Sequence, residues 1–308
     1  MTVPTPLAAA PTRRFAPARP AGRHRPPLDG QRITLLKQKA RFVRTETVRL
    51  ISIAKTGHYA SSFSCAEIFA ALYYDTMRLR DGDPQWTERD RFLMGKGHAA
   101  VGLYPLLADH GFLDHAVLDE YTRLGNPLGD HPDMRKVPGI DFSSGSLGHA
   151  LSAGLGMALA ARVVGADYNV FVLLGDGEQQ EGQVWEAALS AAHHEAARLI
   201  AIVDRNQYSL DGRVEDVMRI EPLADKWRAF GWQVHETDGH DIASLASTLR
   251  SLADDMERTQ PAILIAHTIK GKGITYMEKE FGWHLGWLAP ADEAAAYVEL
   301  RSGHDDDA

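Results

Sequence analysis

NVFVLLGDGEQQEGQVWEAALSAAHHEAARLIAIVDRN, residues 169–206, carries the pattern from which the fold can be read. It opens with an apolar run, NVFVLL (169–174), and closes on a second, LIAIV (199–203). Short apolar runs without polar alternation suit parallel strands covered on both faces. Between them, 184–197 is rich in alanine and helical in pattern. Strand, helix, strand is the repeating unit of a doubly wound sheet. A third run, AILIA (262–266), predicts another strand of that sheet. The expected fold class is α/β, a three-layer α/β/α arrangement around a mostly parallel sheet.

In such sheets ligands bind beyond the carboxyl ends of the strands. Gly175-Asp176-Gly177-Glu178 directly follows the first run, and Asp204-Arg205-Asn206 ends the second. Asp176 and Asn206 therefore top the two strands of one unit, where their oxygens can meet on a hard cation. The glycines allow close backbone approach, and the helix starting near Gln183 offers its first amides to an anion. Mg²⁺ takes few protein oxygens and fills its shell with phosphate and water. Alone, Gly-Asp-Gly is usually a turn and an Asn after a strand a cap. Both in this strand-helix-strand context predict a Mg²⁺–diphosphate site. A P-loop, a dinucleotide Gly-x-Gly-x-x-Gly and a Gly-x-Ser-x-Gly elbow are all missing, so the corresponding chemistries have no support.

Outside this unit, helical spacing predicts helices over 31–55, 64–77, 99–110 and 147–164, with Thr56-Gly57 stopping the first. Residues 125–146, rich in Gly, Pro and Asp, predict a long loop of the kind that often carries function. The 308 residues suffice for one large domain, and 31–300 read as one because no Pro/Gly linker divides them. Residues 1–30 hold seven of fifteen prolines and five arginines against one aspartate. This stretch predicts a disordered basic tail, and 301–308 a frayed end. The chain's net charge of -8 therefore sits on an acidic body, which does not suggest nucleic-acid binding. No run of 18 apolar residues exists, so no membrane span is expected. The lone Cys65 fits a reducing, cytoplasmic home.

Residues 175–212 resemble the cofactor motif of thiamine-diphosphate enzymes, specifically the transketolase family. So do TGHYASSFSCAEI (56–68), MGKGHAAVGLYPLLADHGF (94–112), GDHPD (129–133), SSGSLGHALSAGLGMALA (143–160) and HTIKGKG (267–273), in family order. The resemblance implies a thiamine-diphosphate-binding fold in which Asp176, Asn206 and the Tyr208 carbonyl hold Mg²⁺. Gly177 and Asn206 would touch the diphosphate, and Gly145, Ser146 and Leu147 would line the cofactor's rings. His98, His284, Lys96 and Lys270 match positions near cofactor and substrate. His58, Ser61 and His131 match sugar-contacting positions, and His131 is the candidate partner for a donor's terminal hydroxyl. Glu181 and Glu186 match carboxylates near a subunit interface, with Glu181 counted among the cofactor residues. His58, His98, His131 and His284 are the expected catalytic set.

Full transketolases have three domains, and this chain matches only the first. The glutamate that activates the cofactor's aminopyrimidine belongs to the second. The resemblance implies the N-terminal subunit of a split transketolase, a transferase moving a two-carbon ketol unit from a sugar or sugar phosphate. A partner subunit would complete it, and α2β2 is the implied assembly. Two departures lie near the expected site: Trp283-His284-Leu285-Gly286-Trp287 and Ser209. Alternatives are an E1-type subunit for 2-oxo acids and a non-catalytic scaffold subunit.

Overall fold

The computed structural model describes residues 25–302. The tail expectation over 1–24 and the frayed end over 303–308 lie outside these residues. Residues 25–30, assigned to the tail from composition, belong to the fold. The Arg25 guanidinium donates to the Thr76 carbonyl at 2.7 Å, and Leu28 packs against the core. Arg301 and Ser302 close the last helix.

Asp29 caps α1 (Gly30–Ala54), its carboxylate accepting the Arg32 amide at 2.9 Å. The helix stops where Lys55 turns left-handed (φ 59°), just before the expected Thr56-Gly57. The helix expected over 64–77 is instead α2 (Tyr59–Phe63), α3 (Ala66–Ala71) and a π-helical turn (Leu72–Thr76). Serines accompany the break. The Ser62 hydroxyl is shared between the His58 and Ala99 carbonyls, and Ser64 Oγ turns away from the helix to donate to Asp204. Local bonds such as that to His58 compete with regular helix. Then follow β1 (Arg91–Met94), a 3₁₀ turn (Gly97–Ala99) and α4 (Ala100–Asp109). Residues 125–146 hold no helix or strand. Beyond them come α5 (His149–Val164), β2 (Val170–Gly175), α6 (Gly182–His193) and β3 (Leu199–Arg205). The described chain finishes with α7 (Val214–Val217), α8 (Leu223–Ala229), β4 (Gln233–Asp238), α9 (Ile242–Asp254), β5 (Ala262–His267) and α10 (Pro290–Ser302).

The sheet order is β1-β2-β3-β5-β4, with every pairing parallel. Sequence reading missed β1 and β4. The first has four residues, and the second, QVHETD, sits at the sheet's edge with one buried position, so it reads as polar. Alternation along the inner strands splits the apolar residues between two faces. Phe171, Leu173, Ile200, Ile202 and Leu264 pack under α1, α3, α4 and α9. Val170, Val172, Leu174, Ala201, Val203 and Ile263 pack under α5, α6 and α8. This is the three-layer α/β/α class. Register sets Gly175 beside Asp204 and Arg205 beside His267. Asp176, Asn206 and Thr268 therefore leave the sheet at one edge.

Candidate active site

Asp204, the penultimate residue of β3, is fully buried. One of its oxygens accepts from Ser64 Oγ at 2.6 Å, from Asn206 Nδ2 at 3.0 Å and from the Lys96 ammonium. The other accepts from Thr268 Oγ1. Burial alone would raise this carboxyl, but Lys96 and the hydroxyl donors hold it below its ordinary value. The bond from Asn206 Nδ2 orients the amide so that its Oδ1 faces the loop, where it accepts the Tyr208 amide at 3.1 Å.

Asp176 stands at the end of β2. It accepts the Gly177 amide at 2.7 Å, an Arg205 N–H at 3.0 Å and the Gln207 amide. Gln207 adopts a left-handed φ of 71°, uncommon for a side chain of its size. That turn brings the loop after Asn206 back onto Asp176. Burial, then the neighbouring Asp204 charge, push the Asp176 carboxyl up to about 6, against the opposing pull of Arg205. The buried Asp176 carboxylate, paired with Arg205, the oriented Asn206 amide oxygen and the Tyr208 carbonyl are hard oxygen donors of the kind a divalent cation takes.

Sequence reading gave no role to Asp204 or Glu178. The buried Glu178 carboxylate accepts the Gly148 amide at 2.8 Å and the Gly175 amide at 3.0 Å. It thereby ties the loop ending at Gly148 to the end of β2. Burial pushes this group up to about 7. Gly148 holds φ 85°, and a Cβ there would lie 2.8 Å from Glu181 Cβ, so the position demands glycine. The available signal for both missed acids was a carboxylate at or just beyond the end of an apolar strand. Gly145, Ser146 and Leu147 sit on the tied loop, and Gly145 borders the His131 ring. Ser144 Oγ is buried with no partner. Glu181 lies at the start of α6, and Glu186 is exposed on that helix.

The four expected histidines converge from four segments. Ring centroids separate His58 from His98 by 5.0 Å, from His284 by 5.3 Å and from His131 by 6.1 Å; His98 and His284 are 5.1 Å apart. Asp130 reaches His58 Nδ1 at 3.3 Å and His131 Nδ1 at 3.4 Å. Burial works against that carboxylate, but its bond to His58 and the two imidazoles keep it below its usual range. Ser61 Oγ lies 3.1 Å from His98 Nε2. Burial, then Lys96, pushes His98 well below an ordinary histidine. Burial, then Lys270, pushes His284 down to about 3. Lys270 Nζ donates to His284 Nδ1 at 3.0 Å and to the Ser209 carbonyl at 2.8 Å. Burial, then Lys96, lowers its own ammonium to about 8. The Lys96 ammonium pairs with Asp204 and donates to the Ser61 carbonyl at 2.8 Å, so two of its three donors serve the fold.

An open α/β sheet thus carries an acid–amide pair and four imidazoles at its carboxyl edge, the place where such folds bind ligands. The family described as "Transketolase, thiamine diphosphate binding domain" matches residues 36–305, and the chain belongs to it. The chain is 43% identical over 243 residues to an apulose-4-phosphate transketolase subunit of Phocaeicola vulgatus, covering 79% of this chain and 85% of that one. It is 39% identical over 268 residues to the 6-deoxy-6-sulfo-D-fructose transketolase subunit SqwG of a Clostridium species, covering 86% and 96%. Among solved structures, the transketolase of Campylobacter jejuni superposes with a TM-score of 0.80 at 25% identity, over 89% of this chain and 43% of that one. The Pichia stipitis transketolase complex with sedoheptulose 7-phosphate gives 0.79 at 27%, over 87% and 41%. The chain thus spans less than half of those two solved chains and most of the two subunits. Among the described residues, no helix is long and apolar enough to cross a membrane.

Proposed function

We propose that this chain is the diphosphate-binding subunit of a two-chain transketolase. The carrying observation is the convergence of His58, His98, His131 and His284 at the sheet edge that also bears the Asp176–Asn206 pair. In this reading Asp176, Asn206 and the Tyr208 carbonyl hold Mg²⁺, and Gly177, Asn206 and Lys270 face the diphosphate. When bound, thiamine diphosphate supplies the carbon nucleophile and electron sink for carrying a two-carbon unit. Gly145, Ser146 and Leu147 border its rings, with Glu178 fixing the far end of that loop.

Proton handling falls to this chain. Asp130, ionised, accepts the His58 Nδ1 proton, which leaves that ring's Nε2 able to accept one from a sugar hydroxyl, and the same carboxylate lies 3.4 Å from His131 Nδ1. Burial holds His98 and His284 neutral, so each offers the sugar an uncharged ring for hydrogen bonding rather than a strong base. Ser61 orients His98, and Lys270 orients His284. The crowding of four rings around one point suits a polyhydroxylated ketose donor. A cytoplasmic α2β2 assembly, with the second subunit supplying the pyrimidine domain, completes the reading.

The test combines the purified chain with thiamine diphosphate, Mg²⁺ and a ketose phosphate, with and without the candidate partner subunit. Turnover that appears only with the partner is expected; full turnover by the chain alone refutes the division of the site. By calorimetry on the complex, Asp176→Ala should reduce Mg²⁺-dependent cofactor binding by at least about a hundredfold, the upper end of what losing a supporting metal contact costs. Unchanged binding would refute the metal assignment.

A further inference from the structure

Behind the imidazole cluster, on the α1 side of the sheet, lies a second polar network that the proposed chemistry does not use. Arg44, buried in α1, donates to Glu67 Oε2 at 2.8 Å and to the Phe63 carbonyl at 3.0 Å. Glu67, on α3, also contacts His240 Nδ1 at 3.0 Å. On the opposite side of that ring, His240 Nε2 accepts the Ile269 amide at 2.8 Å. Ile269 directly precedes Lys270. The bonding pattern fixes the tautomer: Nε2 accepts from a backbone N–H, so the ring's proton is on Nδ1 and points to Glu67.

Both ends of this chain of bonds reach the active site. Phe63 ends α2, the helix that carries Ser61 and follows His58. Ile269 starts the turn that carries Lys270, which in turn holds His284. The loop has other ties, from Thr268 Oγ1 to Asp204 and from the Gly271 amide to the Ala60 carbonyl at 3.2 Å. At Ile269 the tie runs to the side chain of a separate loop, so a single substitution can remove it. The network also lines a cavity of about 430 Å³, with Lys37, Arg41, Asp238 and Asp241 around it. Water therefore has access to His240, and the ring's fixed tautomer keeps the Ile269 amide directed at it.

We propose that His240, held by Glu67 and Arg44, is a positioning residue that sets the Lys270–His284 pair through the Ile269 amide. It touches neither the cofactor nor the sugar. Its effect is on where the Lys270 ammonium sits relative to His284 and the Ser209 carbonyl. This rests on the transketolase reading only for its kinetic readout.

The test uses the full chain assembled with its partner subunit, in two variants. His240→Phe keeps a ring but removes the acceptor. His240→Gln keeps an acceptor for Ile269 and a donor for Glu67. Amide exchange measured by mass spectrometry reads the 267–273 segment, and kinetics read kcat and KM separately. In His240→Phe, exchange at 267–273 should rise about tenfold, and kcat should fall about tenfold or more, since sub-ångström misplacement of a catalytic group costs rates of this order. KM for the donor should change less than kcat. His240→Gln should restore both readouts to within about threefold, a rescue that a purely structural role does not predict. The proposal is overturned if His240→Phe leaves exchange at 267–273 unchanged, or if the Gln variant is as impaired as the Phe variant. Should the assembled protein lack ketol transfer altogether, the exchange result still decides the positioning claim, and the functional reading alone fails.

Discussion

Replacing Lys96 by methionine separates a structural role for this residue from a cofactor role. The Lys96 and Asp204 side chains are 3% and 0% exposed. Removing one partner of a buried ion pair costs about 3–5 kcal/mol, because the other charge stays in a poor dielectric. With an m-value of about 3 kcal/mol/M in urea, the unfolding midpoint should fall by about 1–1.7 M. Burial drives the penalty, so neutralising the stranded carboxylate should relieve it. Lys96→Met/Asp204→Asn should regain at least half of the lost midpoint, although the new amide cannot accept from Ser64, Asn206 and Thr268 all at once. The assay is urea titration followed by tryptophan fluorescence and far-ultraviolet circular dichroism together. A drop below about 0.3 M in the single variant, under a third of the smallest expected shift, or no recovery in the double, refutes the reasoning. A normal midpoint with weakened cofactor binding would return Lys96 to the cofactor.

Two further outcomes are expected. Because His284 is depressed to about 3, the unfolded chain, with an ordinary histidine near 6.5, binds protons there that the folded chain refuses. This contribution is present above about 6.5 and lost as pH falls toward 3; in urea titrations from about pH 4.5 to 7.5, His284→Asn should show a shallower acid-side loss than wild type, and an identical slope would refute it. Gly154→Ala places a Cβ 2.6 Å from Val172 Cγ2, between α5 and β2. Overpacking of this kind costs about 1–3 kcal/mol and should lower Tm by about 2–4 °C per kcal/mol in a domain of this size. Gly156→Ala, with open space around it, serves as the control and should not lower Tm.

The two-strand unit at 169–206 was legible because its strands are covered on both faces and therefore wholly apolar. The same logic hides β4, whose sequence QVHETD has a single buried position although α8 and α9 both pack on it. Among site residues, Asp176 and Asn206 could be placed from strand context and spacing and the four histidines from the family resemblance, and the structure gathers them at one edge. The ion pair of Lys96 with Asp204 could not be read, since an ammonium beside a glycine-rich turn looks alike whether it meets a ligand or a carboxylate from another strand. Asp204 and Glu178 escaped notice for a related reason. Their partners, Thr268, Ser64 and the Gly148 amide, lie far away in sequence, and no local pattern announces a contact made by folding. His240 reads in sequence as one more polar loop residue, and only the contact with Ile269 gives it a role.

The pairing order of the sheet also bears on how the site comes into being. β2 and β3 are joined through α6, so their contact closes a short loop, whereas β1 meets β2 across α4, the long loop and α5, and β5 meets β3 across α7, α8, β4 and α9. Loop-closure entropy favours the β2–β3 pair, and the equally close β4–β5 pair, ahead of the distant ones. Asp176 and Asn206 sit on the β2–β3 pair, while Lys96 arrives with β1 and Thr268 with β5. The acid and the amide are therefore brought together early on a chain that cannot yet hold them rigidly. The carboxylate beneath Asn206 gains its counter-charge only when the neighbouring strands dock, so the cation affinity proposed above should appear late, as a property of the finished sheet rather than of its nucleus.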